Sequence, residues 1–484
     1  MRIDRENPAH PREVVGTVTS TPPEAIDAVV HAAHRDFHDW SRHPLESRLT
    51  ALGHAADALD RRKAELATLL ARETGKPVTD CRGEIGFAAT YLRWVREHGA
   101  DIFQNRTIDD THGRLTLSPR PFGVIAAITP WNAPIILSML KLGPALAAGN
   151  AVVLKPSPLA PLTVTAAAEL LPATTVIHGG PDTVHALVAH PLIRKVAFTG
   201  GEQAGRAIAA AAGQSITPVL LELGGNDPAI FLDDFALTPA DFERLVLASF
   251  ATAGQVCMAA KRLYVPETRL AEFVDSYLAA AQRILIVGDP VDEAVTMGPV
   301  VTEAAAERVT GLVIDASNRG ARIIPLADAP TTDGYFLDPI IALGVPDDAA
   351  LVREEQFGPA VPILTYRDES EVLTRANDSD LGLAASVWSA DEDRAFALAT
   401  RVEAGFTFIN THNRTGMSLR APFGGTKNSG FGREYAPEGL LEYIQAAATH
   451  APGAFRAGGT GLPAGAYPGT LTPPSDATDN SRGW

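Results

Sequence analysis

Cysteine is almost absent: the 484-residue chain carries two, Cys81 and Cys257. Two thiols cannot build a disulfide framework. Neither sits in a C-x-x-C pair or a His/Cys cluster of zinc spacing, and no H-E-x-x-H occurs, so no metal site is expected. Long apolar runs are missing too. The longest, around 135–146, is interrupted by Lys141 and Gly143, so no bilayer span is expected. The N-terminal MRIDRENPAHPREVVG holds no apolar core of a secretory signal, so a cytoplasmic setting with reduced thiols is expected. Basic residues are outnumbered, 41 against 57, for a net charge of -16. An acidic surface argues against a nucleic-acid or anionic-membrane partner, since both need a basic footprint. With 46% hydrophobic and 20% charged residues, what remains is an ordinary globular composition. The length suits about two or three domains.

The first part reads as helices. Thr21-Pro22-Pro23-Glu24 has the pattern of a capping box, and Ile26, Val29, Val30, Ala33, Phe37 and Trp40 follow at helical spacing. A second helical stretch covers 45–72 and ends at Gly75-Lys76-Pro77. From Gly123 the texture changes. β-Branched runs at 124–128, 151–154, 175–178, 195–198 and 218–221 alternate with helical patterns. Such alternation predicts parallel β-α-β units in a doubly wound sheet, which binds ligands at the carboxyl ends of its strands. A second series at 229–232, 262–265, 361–364, 384–388 and 405–409 predicts another α/β domain. The stretch 452–484 is rich in Gly, Pro, Ser and Thr and is expected to be disordered.

Several residues could carry chemistry. Cys257, in Gly254-Gln255-Val256-Cys257-Met258, is either a small buried hydrophobe or a nucleophile given room by its small neighbours. Cys81 lies on a helical pattern without such a setting. Glu222 ends an apolar run and precedes two glycines. A carboxylate in apolar surroundings has a raised pKa and suits a general base, although a strand-end ion pair is the plainer reading. Asn132, after Pro130-Trp131, is a helix N-cap or an amide donor to an oxyanion. Phe198-Thr199-Gly200-Gly201 is a strand-to-helix turn that could meet a phosphate. Lys155 and the loop Glu354-Glu355-Gln356-Phe357 read, taken singly, as solvated charges.

Taken together, the segments resemble the aldehyde dehydrogenase superfamily from about Asn7 to His450. PWN at 130–132, KPS at 155–157, FTG at 198–200, LELGGN at 221–226, GQVC at 254–257, EEQFGP at 354–359 and PFGG at 422–425 stand in the family's order. The resemblance implies an α/β fold with a doubly wound, Rossmann-type cofactor domain (1–105 and 121–227) and an α/β catalytic domain (228–430). It also implies a small β oligomerisation arm (106–120 and 431–451), hence a homodimer or homotetramer. It casts Cys257 as nucleophile, Glu222 as base and Asn132 as oxyanion donor, together with the Cys257 N–H. Lys155 would hold the adenosine ribose and Glu355 the nicotinamide ribose, beside Phe357, with Trp131, Thr199, Gly200 and Gly201 lining the cofactor. The cofactor implied is NAD, with NADP possible. Glu222 favours water over coenzyme A as acyl acceptor, hence a free acid.

The match departs at Pro158, where many NAD-using members carry Glu, at Gly201 in place of a hydroxyl residue, and in a shortened 169–176 segment. Ala133, Leu137, Leu140, Val256, Met258, Met417 and Phe423 are expected to line the substrate tunnel. That apolar set suits a medium aliphatic or aromatic aldehyde. The alternative is a semialdehyde acid met by His412, Arg414 and Arg420, and a third reading is a non-catalytic scaffold.

Overall fold

The computed structural model describes residues 1–453, so the expectation of disorder over 452–484 falls, from 454 on, outside the described residues. By contacts the chain divides into two units, one of residues 1–103 and 121–444, the other of 104–120 and 445 onward.

The first unit opens with a β-hairpin, Arg2–Asn7 with His10–Thr19, where the sequence predicted no strands. Its alternation is masked by charge. Arg5 points inward and is 3% exposed, because its guanidinium donates to the carbonyls of Glu73 and Val301. The expected capping box at Thr21 does not form: Pro22 precedes a single 3-10 turn, and the Thr21 hydroxyl instead accepts from the His178 N–H. The helix Ile26–Trp40 follows as predicted. The 45–72 stretch is two helices, Leu45–Arg61 and Lys63–Thr74, broken at Arg62 (φ -96, ψ 6). Gly75 ends the second in the left-handed region at φ 80, a conformation that a Cβ disfavours.

The helix Val78–Phe103, 26 residues long, packs against Leu45–Arg61 and Pro134–Ala148. Residues 134–148 are buried almost throughout, as their apolar sequence demands. Gly143 permits the close approach, since a Cβ there would lie 3.1 Å from Leu92 Cδ2.

A six-stranded sheet runs in the order Gly430–Phe431, Val219–Glu222, Ile193–Thr199, Val124–Thr129, Ala151–Pro156, Thr174–Val176. All strands are parallel except the first. Strand order reverses between Val124–Thr129 and Ile193–Thr199. The carboxyl ends of those two strands form the switch point at which such sheets accept ligands. A seven-stranded sheet follows in the order Arg322–Pro325, Ile340–Leu343, Ala360–Tyr366, Arg262–Pro266, Pro228–Phe231, Ala384–Trp388, Phe406–Ile409. Its first two strands were not anticipated. Both are only four residues long, and the first is an antiparallel edge.

In the second unit, Arg106–Asp110 and Gly113–Pro121 form an antiparallel hairpin beside Ile444–Pro452. Residues 431–443, assigned from sequence to the arm, lie instead in the first unit, where Phe431 pairs with Leu221. No helix among the described residues is long and apolar enough to cross a membrane.

One buried carboxylate clips the helices together. Glu73, at the end of Lys63–Thr74, accepts from the N–H groups of Leu162 and Thr163 and from the Thr163 hydroxyl (2.6 Å). It thereby caps the helix Pro161–Ala168 from outside its own segment. Burial raises its pKa to about 7 against the pull of those donors. Glu73→Ala leaves three donors without an acceptor and should cost on the order of 2–3 kcal/mol in urea unfolding, and Glu73→Gln less. The folded state holds the proton more tightly than the unfolded chain, so this group's contribution is full below its unfolded pKa and is lost as pH rises through about 7. The stability of Glu73→Gln relative to the natural protein should therefore climb between about pH 5 and pH 8.

Candidate active site

The loop that carries Cys257 leaves helix Pro239–Phe250 through a run of left-handed residues, Thr252 (φ 56), Ala253 (φ 53) and Gly254 (φ 69). Gly254 is required, because a Cβ there would strike the Gly358 carbonyl. The two non-glycine residues are strained, and such strain persists only where the surroundings fix it. Gln255 supplies much of the fixing. Its side chain donates to the Thr252 carbonyl (2.9 Å) and accepts from the Val301 N–H (2.9 Å). Lys261 completes it by donating to the carbonyls of Val256 (2.8 Å) and Cys257.

Cys257 emerges on a cavity of about 350 Å³. Glu222 and Asn132 line the same cavity, as do all seven residues expected of the tunnel: Ala133, Leu137, Leu140, Val256, Met258, Met417 and Phe423. Three residues more than a hundred positions apart at the extremes thus converge. Asn132 follows the strand Val124–Thr129, and Glu222 ends Val219–Glu222. The Asn132 amide donates to the Gln255 carbonyl at 3.0 Å. An amide nitrogen carries two protons, so one remains for a substrate oxygen.

Burial pushes the Cys257 thiol up to about 12, opposed by Lys261 and reinforced by the carboxylates of Glu355, Glu222 and Asp227. Burial likewise holds the Glu222 carboxyl well above the usual range, and the like charge of Glu434 adds to it. Lys141, Arg433 and the Gly425 N–H act the other way. Glu222 Oε1 has no partner in the protein.

Two features here escaped the sequence reading. Lys141, fully buried, donates to Glu434 Oε1 (2.7 Å) and to the Thr199 hydroxyl (2.6 Å). Lys141 had been seen only as an interruption of an apolar run. The signal for it was there, since a lysine at the centre of an otherwise apolar helix must find an anion. The wall on the helix Val78–Phe103 was missed as well. Asp80, Gly83, Glu84 and Phe87 line the cavity at a helical spacing of three and four. Glu84 pairs with Lys76 and accepts from the N–H groups of Ile135 (2.7 Å) and Ile136 (3.2 Å), capping helix Pro134–Ala148.

The expected cofactor residues divide among three places. Trp131, Glu355 and Phe357 line a cavity of about 620 Å³ with Gly224 and Gln255. The Trp131 and Phe357 rings meet edge to face, with centroids 5.8 Å apart. Glu355 accepts from the Gly225 N–H (3.1 Å) and pairs with Lys261 (3.2 Å). Arg308 clamps this loop by donating to the carbonyls of Glu355 and Gln356. Lys155 lies apart, in a cavity of about 510 Å³ with Pro158, Phe198 and His185. Burial lowers its ammonium pKa to about 8, and no carboxylate lines that cavity. Lys155 offers a cation without a carboxylate partner at one cavity and Glu355 an acceptor for hydroxyl groups at the other, near the carboxyl ends of the switch-point strands, so these residues fit a dinucleotide. Thr199 lines the catalytic cavity rather than these two, with its hydroxyl taken by Lys141. The Gly200 N–H is spent on the Glu222 carbonyl (3.0 Å), so it does not await a phosphate. Gly201 is the N-cap residue of helix Glu202–Gln214.

Of the three cations proposed for an acid substrate, one reaches the cavity. His412 is buried, with Nδ1 against the Ser386 hydroxyl (2.7 Å), and serves to anchor its loop. Arg420 is exposed and does not line the cavity. Arg414 does line it, paired with Asp80 at 3.0 Å.

Residues 1–449 match the model of the aldehyde dehydrogenase family. The NADP-dependent succinate-semialdehyde dehydrogenase of Escherichia coli is 37% identical, over 92% of this chain and 93% of that protein. The glutarate-semialdehyde dehydrogenase of Pseudomonas aeruginosa is 35% identical, over 92% of each. The crystal structure of an NAD-dependent aldehyde dehydrogenase from Sinorhizobium meliloti superposes with a TM-score of 0.89 at 32% identity, covering 93% of this chain and 92% of that one. Fold, site geometry and sequence agree, and the chain belongs to the aldehyde dehydrogenase family of oxidoreductases.

Proposed function

We propose that the protein oxidises an uncharged aldehyde of medium size, aliphatic or aromatic, to its carboxylic acid, using NAD or NADP. The observation that carries this is the single cavity shared by Cys257, Glu222 and Asn132 behind apolar walls. Loss of the Cys257 proton gives the thiolate, which attacks the carbonyl carbon and forms a thiohemiacetal. The free N–H of Asn132, with the Cys257 N–H, holds the oxygen as negative charge grows on it. A nicotinamide dinucleotide held by Trp131, Glu355, Phe357 and Lys155 would supply the oxidising power as hydride acceptor. A thioester on Cys257 remains. Glu222, once ionised, accepts a proton from water as the water attacks that thioester, and the acid leaves. Buried and unpartnered at Oε1, Glu222 keeps its basicity for that step.

The apolar walls and the charge balance support an uncharged substrate. Lys76 is tied to Glu84, Arg414 to Asp80 and Lys141 to Glu434, so among the described residues no cation stands free around the cavity. A second reading, a semialdehyde acid, is favoured by Arg414 on the wall and by the names of the two semialdehyde dehydrogenases above. For the cofactor, the absence of a carboxylate beside Lys155 leaves a 2′-phosphate unopposed, so the reading admits both dinucleotides. The family's habit of assembly makes a homodimer or homotetramer part of this proposal.

Three measurements test it. NAD(P)H absorbance with hexanal, benzaldehyde and succinate semialdehyde should show the first two turned over with higher kcat/KM. Cys257→Ala should abolish turnover, and Glu222→Gln should lower kcat by roughly 100- to 1000-fold. Wild-type rates in either variant would remove the mechanism. A thiol raised to about 12 is mostly protonated at neutral pH. Iodoacetamide labelling of Cys257 without cofactor should therefore accelerate about tenfold per pH unit from about pH 7 to pH 10. A plateau near pH 8 would contradict the buried-thiol picture, and Cys257→Ala controls for Cys81.

A further inference from the structure

We propose that Asp80 sets the charge selectivity of the aldehyde cavity, by neutralising the one cation at its rim that could otherwise recruit an aldehyde bearing a carboxylate. The inference rests on the reading above and concerns the same cavity.

Arg414 Nη2 lies 3.0 Å from Asp80 Oδ2. Their side chains are 40% and 26% exposed, so the pair stands at the surface end of the cavity and not among the reacting groups. Both residues also line an adjoining cavity of about 370 Å³, together with Thr79, which places the pair between two hollows. The pair is held from both sides. Asp80 sits in the first turn of the rigid helix Val78–Phe103, one turn before Glu84. Arg414 sits on a loop whose base is pinned by two buried residues, with His412 against Ser386 and the Asn413 amide donating to the Ala248 carbonyl (2.9 Å). The guanidinium is therefore presented to the rim whether or not its partner is charged.

A positive and a negative charge 3.0 Å apart act on a distant substrate as a dipole, whose field falls off faster than that of a lone charge. Removal of the negative member leaves a full positive charge at the rim. A planar guanidinium suits a carboxylate in two-point contact. The remaining rim cation, Lys76, is 2% exposed and bound to Glu84, so it does not compete for the role. Asp80 is thus a specificity-determining residue that makes no contact with the reacting atoms.

The test compares kcat/KM for succinate semialdehyde and hexanal in the full-length protein. Asp80→Asn should raise the acid-to-neutral ratio roughly tenfold, a value discounted for partial exposure. The gain should shrink in about 0.5 M salt, and the further change Arg414→Met should abolish it. A merely structural role for Asp80 would lower both activities and leave the ratio alone. Asp80→Ser serves as a second neutral variant should the asparagine perturb folding. An unchanged ratio with hexanal turnover intact overturns the proposal and leaves the parent reading standing. A wild-type protein that already favours succinate semialdehyde overturns it as well. No turnover of either aldehyde overturns both.

Discussion

One ammonium group ties the Cys257 loop to the Glu355 loop. Lys261, 3% exposed, donates to the carbonyls of Val256 and Cys257 and pairs with the Glu355 carboxylate. Removing it would leave a buried carboxylate unpaired and two carbonyls unsatisfied, and would release the strained turn before Cys257. The same charge opposes the burial that raises the thiol pKa. A buried ion pair adds little to net stability, and its worth here is positional: it fixes the distance between Cys257 and Glu355, the proposed nucleophile and the proposed ribose ligand.

Charge around the cavity follows one rule. Each lysine and arginine placed there above is matched by a carboxylate, near in sequence for Lys76 and Glu84 but separated by 293 positions for Lys141 and Glu434 and by 334 for Arg414 and Asp80. Glu222 alone is unmatched, and burial then favours its neutral form. An unpartnered carboxylic acid is costly to ionise and correspondingly basic once ionised. The cost falls at the position that the proposed mechanism assigns to the base.

Much of the site was legible because its parts are local. A cysteine among small residues, a glutamate at the end of an apolar strand and an asparagine after a proline each carry a nearby signature. Parallel crossovers then bring those strand ends together, as β-α alternation implies. The seven apolar wall residues were legible for the same reason, since they flank those signatures in sequence. Pairs at long range were not. Lys141 shows only an interrupted apolar run until Glu434 is placed beside it, and Glu84 shows only a helical acid until the N-terminus of another helix meets it. His412 was misread because a histidine in a polar loop looks solvated, whereas its ring fills the base of that loop beside Ser386 and Phe408. The N-terminal hairpin was lost because inward and outward positions along it both carry charge, so the alternation that marks a strand vanished.

The helix Val78–Phe103 contributes a wall but none of the three side chains proposed to react, which come from strand ends and from the loop after Phe250. Part of the wall is therefore carried on backbone separate from those side chains. At Gly83, on that wall, an added Cβ would meet no atom within 4 Å. A lineage could narrow the hollow at this one codon without disturbing sulfur, amide or carboxylate.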